Sequence, residues 1–253
     1  MSTEGLHDSC ILVTTDASGA SKVVAGPGII LLALVASVSG CRPSASSSPA
    51  PPPSAAGGST APSPTAARDA PAVVFLGDSL TAGYGLDPDQ AYPALIQRKI
   101  DDAGLHYRVV NAGVSGETSA GARRRIEWLL AQPVAVLVVE TGGNDGLRGQ
   151  DPSATAENIQ AIIDRARRLP SPARIVLVGM ESLPNYGADY ARRFHSIYPQ
   201  LAKKNGVVLV PFLLDGVAGV PSLNQADGIH PTAEGQRKLA ETVWKVLQPL
   251  LTG

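Results

Sequence analysis

Two stretches of this chain carry residue types that could do covalent chemistry: Gly77-Asp78-Ser79-Leu80 and Asp227-Gly228-Ile229-His230-Pro231. A serine hydroxyl is a weak nucleophile until a general base takes its proton, and the base works best when a carboxylate holds its tautomer. Asp227 and His230 are three residues apart, so one loop can supply both base and carboxylate. Ser79 stands just past the apolar run Ala72–Leu76, where a buried strand would end at the carboxyl edge of a sheet. Asp and Ser also favour turns and caps, so the tetrapeptide alone fits a plain turn equally well. The distant Asp-His pair tips the balance toward chemistry. His106 and His195 have no such motif beside them and are expected to be structural or surface residues.

An acyl-transfer site also needs donors aimed at a developing oxyanion. Asn111-Ala112-Gly113 and Gly142-Gly143-Asn144-Asp145 follow the second and third apolar runs, and a Gly backbone N–H and an Asn amide could serve there. A tight turn would explain the same composition. Asp78 and Asp145 are expected to shape their loops through side-chain-to-backbone hydrogen bonds. Arg123-Arg124-Arg125 reads as the solvated face of a helix. The phosphate-binding G-x-x-x-x-G-K-[ST], the H-E-x-x-H and C-x-x-C metal or redox spacings, and the G-x-S-x-G nucleophile turn are all absent.

The elements that must position these residues follow from hydropathy. Apolar runs at 72–76, 107–110, 134–139, 174–179 and 207–210 show no alternation, as strands of a parallel sheet covered on both faces do. Helical stretches are predicted near 91–103, 118–131, 153–169, 188–205 and 232–249, with Asp151-Pro152 as a cap followed by proline at the first helical position. Strand–helix alternation predicts an α/β fold: a three-layer αβα sandwich around a five-stranded parallel sheet, with the site at the carboxyl ends of the strands.

Composition divides the chain in three. Residues 1–41 hold the apolar run Ile29–Ala36, flanked by Lys22 and ending in Val38-Ser39-Gly40-Cys41. The run is too short for a spanning helix, which needs about 20 residues, and fits a secretory signal. Its end resembles a bacterial lipobox, which makes Cys41 a candidate lipidation site. The opening residues Met1–Ala20 carry Glu4, Asp8 and Asp16 and no Lys or Arg, which suits a signal poorly. Residues 42–71 contain no Val, Ile, Leu, Met, Phe, Trp or Tyr and are rich in Pro, Ser and Ala. Such a segment cannot bury enough apolar area to offset its ordering entropy and is expected to be a disordered tether. Residues 72–253 form the folded domain. The whole chain has 21 Lys and Arg against 22 Asp and Glu, a balance that argues against a nucleic-acid partner. Both cysteines, Cys10 and Cys41, precede the domain, so neither a disulfide framework nor a cysteine metal site is expected in it.

Four blocks in this order resemble the SGNH (GDSL-type) hydrolase family across essentially all of 72–253. The resemblance maps a catalytic triad onto Ser79, Asp227 and His230, and an oxyanion hole onto Ser79, Gly113 and Asn144. Gly77–Tyr84, Asn111–Thr118, Gly142–Gly149, Leu183–Gly187 and Asp227–Pro231 are similar to the bacterial thioesterase/lysophospholipase/arylesterase subgroup. The resemblance implies hydrolysis of esters or thioesters carrying one acyl chain, through an acyl-enzyme, with a small-molecule substrate and no metal or cofactor. Leu147, Leu183 and Tyr186 would then line an acyl groove. That subgroup is commonly free in the periplasm, whereas the lipobox-like Cys41 and the tether imply an exported, membrane-anchored domain. The same residues would also suit a carbohydrate O-acetylesterase. A catalytically idle binding lipoprotein is a third reading, disfavoured by the complete Ser, Asp and His set.

Overall fold

The computed structural model describes residues 70–253. The signal-like run, Cys41 and the expected tether up to residue 69 lie outside the described residues.

The five apolar runs form five strands: β1 (Ala72–Gly77), β2 (Arg108–Gly113), β3 (Val134–Glu140), β4 (Arg174–Val178) and β5 (Val208–Val210). They pair in the order β2-β1-β3-β4-β5, all parallel. The described residues also form seven α-helices: α1 (Ser79–Ala82), α2 (Tyr92–Asp102), α3 (Ser119–Leu129), α4 (Gly143–Leu147), α5 (Pro152–Arg167), α6 (Ala188–Asn205) and α7 (Ala233–Thr252). Helix α2 packs with α7, while α3 packs with α5 and α5 with α6, giving the two outer layers of an αβα sandwich. The expected fold class is the observed one.

Burial explains the unbroken apolar runs. All of β1, and nearly all of β3 and β4, is covered on both faces, so neither face needs a polar residue. Removing a side chain the size of Phe75 or Leu137 from water stabilises the fold by about 1.5–3 kcal/mol. Phe75 meets Tyr92 of α2 edge to face, with ring centroids 5.5 Å apart. Among the long helices, Thr118, Asp151 and Thr232 cap α3, α5 and α7 by accepting a backbone N–H of the first turn.

Strand order places the site. The chain leaves β1 for β2 on one side and then returns past β1 to β3 on the other. Connections therefore diverge from the β1–β3 boundary, and a crevice opens at the carboxyl ends of those two strands. Ser79 follows β1 and Asn144 follows β3, so the two face that crevice from opposite sides.

Edge strand β2 departs from expectation. The apolar run stops at Val110, yet pairing continues through Asn111, Ala112 and Gly113, opposite Phe75, Leu76 and Gly77. On a half-buried edge strand, backbone hydrogen bonding to β1 carries the strand further than hydropathy shows. The stretches for which a turn was the alternative form helices α1 and α4. Each is a single short helical segment that directs a strand end into the crevice.

Candidate active site

Ser79 opens α1, and Asp78 before it caps that helix: Asp78 Oδ1 accepts the Leu80 N–H at 2.9 Å. The other carboxylate oxygen, Oδ2, accepts from Asn144 Nδ2 at 3.1 Å. One buried carboxylate thus fixes the turn that carries Ser79 and orients the Asn144 amide. Burial pushes the Asp78 carboxyl above its ordinary range, against hydrogen bonds from Leu80 and Asn144 and the nearby His230 charge.

Asp227 and His230 lie on the loop before α7. Asp227 Oδ1 accepts the backbone N–H groups of Ile229 at 2.9 Å and His230 at 3.0 Å. Asp227 Oδ2 lies 2.6 Å from His230 Nδ1. These bonds, the His230 side chain first among them, pull the Asp227 carboxyl down to about 2. An ionised carboxylate only accepts, so Nδ1 carries a proton and leaves Nε2 as the acceptor in neutral imidazole. Nε2 sits 2.9 Å from Ser79 Oγ, across 151 residues of sequence. The Tyr84 ring covers the imidazole at a centroid distance of 4.5 Å. Gln225 ties the loop down, its backbone N–H donating to the His230 carbonyl and its side-chain amide to the Tyr84 carbonyl, both at 2.7 Å.

Ser79 and His230 open onto a cleft of about 440 Å³. Its walls are largely apolar, with Leu80, Leu147, Met180, Leu183, Leu214 and Ile229 among them. This size suits a small ligand, and an apolar lining with a few converging polar groups is typical of such a site. Leu147 and Leu183 line the cleft as expected. Tyr186 instead packs over Gly149, and its hydroxyl donates to the Leu147 carbonyl at 3.1 Å.

Gly113 is not where expectation put it. It ends β2 and lines a different groove, and its N–H donates to Asn111 Oδ1 at 3.0 Å. A Cβ at Gly113 would come 2.3 Å from the Ala82 backbone nitrogen, so its smallness lets β2 pack against the nucleophile turn. The residue that reaches the cleft in its stead is Gly116, three positions on, in the left-handed conformation at φ 77°. Among the described residues no acceptor takes its N–H, while its carbonyl accepts from Arg148 Nη2 at 3.1 Å. The signal was present in Asn111–Thr118. Because β2 pairs through Gly113, the turn that reaches the cleft begins only beyond it.

Of the remaining expectations, those for Asp145 and His195 hold and the one for Arg125 does not. Asp145 is structural, as expected: buried, it accepts from Ser119 backbone and hydroxyl and from Thr155, tying α4 to α3 and α5. Arg125 does not belong to a solvated face. It grips Glu117 with Nε and Nη2 and donates from Nη2 to the Gly77 carbonyl at 3.2 Å, bracing the end of β1. His195 sits on the surface of α6 beside Glu181.

A serine, an imidazole and a carboxylate in hydrogen-bonded sequence, at the carboxyl edge of a doubly covered parallel sheet, define a serine hydrolase of the three-layer α/β class. The chain belongs to the GDSL-like lipase/acylhydrolase family, which matches residues 75–238. It is 44% identical over 180 residues to esterase TesA of Pseudomonas aeruginosa, covering 71% of this chain and 89% of that protein. It is 40% identical over 187 residues to thioesterase 1/protease 1/lysophospholipase L1 of Escherichia coli K12, covering 73% and 87%. A crystal structure of TesA, also 44% identical, superposes with a TM-score of 0.68 over 71% of this chain and 99% of that one. The protein is therefore a serine ester hydrolase.

Proposed function

We propose that Ser79, His230 and Asp227 are the catalytic triad of a hydrolase acting on esters or thioesters of a single acyl chain. The observation that carries this reading is the unbroken Ser79–His230–Asp227 chain of 2.9 and 2.6 Å at the mouth of an apolar cleft. Ser79 Oγ attacks the acyl carbonyl while His230 Nε2 takes its proton. Asp227 holds the tautomer and stabilises the imidazolium. The oxyanion is met by the Ser79 and Gly116 backbone N–H groups and by Asn144 Nδ2, which Asp78 has already oriented. His230 then protonates the departing alcohol or thiol, and the same imidazole activates the water that releases the acid. The apolar walls take the acyl chain, and the names of the relatives support thioester and lysophospholipid substrates.

A fluorophosphonate probe tests the nucleophile. It labels the wild type and fails on Ser79→Ala, whose turnover of p-nitrophenyl esters falls by roughly 10⁶-fold with the fold retained. Retained labelling or near-normal turnover overturns the assignment. A panel of acyl lengths and leaving groups then separates medium and long chains from acetyl esters.

The reading extends to location. An apolar run ending at Cys41, followed by a Pro/Ser/Ala-rich stretch, supports export and a lipid anchor that holds the domain off a membrane. Incorporation of a fatty-acid analogue that is lost in Cys41→Ser checks it. Equal incorporation in both disproves it.

A further inference from the structure

Glu140 ends β3 as a wholly buried acid that the mechanism above does not use. Its Oε2 accepts the Asp78 backbone N–H at 3.0 Å and the Thr81 hydroxyl at 2.8 Å. Thr81 has spent its proton on Glu140, so at 2.8 Å it accepts from the Tyr92 hydroxyl. The bonds converge beneath the nucleophile. Asp78 N–H is held by Glu140, Leu80 N–H by Asp78, and the Leu80 carbonyl by Gln236 of α7 at 3.2 Å. The residues on both sides of Ser79 are thereby clamped. Gly77 belongs to the same device. A Cβ there would lie 2.6 Å from Glu140 Oε2 and 2.0 Å from Thr81 Oγ1, so the glycine before Asp78 is the space that the Glu140 carboxyl and Thr81 fill.

The other oxygen, Oε1, is buried and has no hydrogen-bond partner. Among the described residues no Lys, Arg or His forms an ion pair with Glu140. The titratable groups around it are Asp78 from the β1–α1 junction, Tyr92 from α2 and Tyr198 from α6, none of them a cation. Oε1 is unpartnered in either state, so charge decides: an ion in a dry interior beside a second carboxylate is the costly state, and the neutral acid needs no counter-charge.

We propose that Glu140 is a positioning residue that holds the nucleophile turn as an un-ionised carboxylic acid, so that the buried Asp78–Glu140 pair carries at most one charge beneath Ser79 and His230. Burial, then the Asp78 charge, pushes the Glu140 carboxyl far above its ordinary range, which accords with the geometry. The uncharged state matters to catalysis. A second negative charge at this depth would stabilise imidazolium and reduce the share of His230 able to take a proton.

The proposal rests on Ser79 as nucleophile, but its decisive measurement needs no turnover. Glutamate labelled with ¹³C at the side-chain carboxyl is expected to give one resonance of a neutral acid at pH 7, absent from Glu140→Gln. If every labelled glutamate titrates as an ordinary carboxylate, the proposal fails, whatever Ser79→Ala does. In kinetics, Glu140→Ala lowers kcat by roughly 10²-fold with KM little changed, because the turn loses its seat. Glu140→Gln keeps a neutral acceptor at Oε2 and recovers most of that loss, with the acid limb of the kcat/KM profile unmoved. An acid limb displaced to lower pH in Glu140→Gln would mean that a negative charge had been removed, and would overturn the proposal. Should Glu140→Gln not fold, the resonance of the labelled wild type decides alone.

Discussion

The two halves of the site are held in opposite ways. Ser79 stands on a turn seated in the core, where buried Asp78 and Thr81 bond to Glu140 of β3, Thr81 to Tyr92 of α2, and the Leu80 carbonyl to Gln236 of α7. Asp227 and His230 stand on an exposed loop whose main bonds are internal: one carboxylate accepts two backbone N–H groups and the imidazole within four residues. The Ser79 half is held by distant parts of the chain. The His230 half is held mostly from within its own loop. Damage to the first should spread through the fold, and damage to the second should stay chemical.

The largest test of that contrast is Asp227→Asn. It keeps the shape of the loop but disturbs the imidazole tautomer, and kcat is expected to fall by about 10⁴-fold with thermal stability little changed. A collapse of stability would show that the loop is not self-sufficient. Next is Asn144→Ala, which removes the proposed oxyanion donor and one hydrogen bond to Asp78; kcat should fall by about 10²–10³-fold, measured on an ester of fixed chain length. The glycine pair then separates packing from chemistry. Gly113→Ala drives a Cβ into the backbone of α1 and should cost about 1–3 kcal/mol of unfolding free energy. Gly116→Ala meets nothing closer than Arg148 at 4.0 Å, so chemical denaturation should show only the left-handed backbone strain, about 1 kcal/mol. The smallest effect is acid sensitivity. Asp227 titrates at about 2 when folded against an ordinary 3.8, so its contribution to stability is present above pH 3.8 and fades as pH falls toward 2. Acid unfolding of Asp227→Asn should lack that component.

The same contrast accounts for what the sequence disclosed. The Asp-His pair could be read directly, because its two members are three residues apart and act within one loop. The five strands could be read because central parallel strands need apolar residues on both faces. Asn144 could be read as the side chain that follows the third run. Gly113 misled because β2 is an edge strand, and its last three residues pair by backbone rather than by hydropathy. Arg125 looked like one of three equivalent surface arginines, and only the fold brings Glu117 and the Gly77 carbonyl to it. Glu140 directly follows the third apolar run, and nothing beside it in the sequence marks it. Its importance lies in contacts 59 and 62 residues away, which no local pattern records.

The span between Ser79 and His230 has a consequence for how the protein comes into being. Ser79 is made early and His230, its hydrogen-bond partner, 151 residues later, just before α7. Gln236, which steadies the carbonyl beside Ser79, arrives later still. On the triad proposed above, the Ser79 hydroxyl gains its proton acceptor only when the segment leading into α7 docks beside the end of β1.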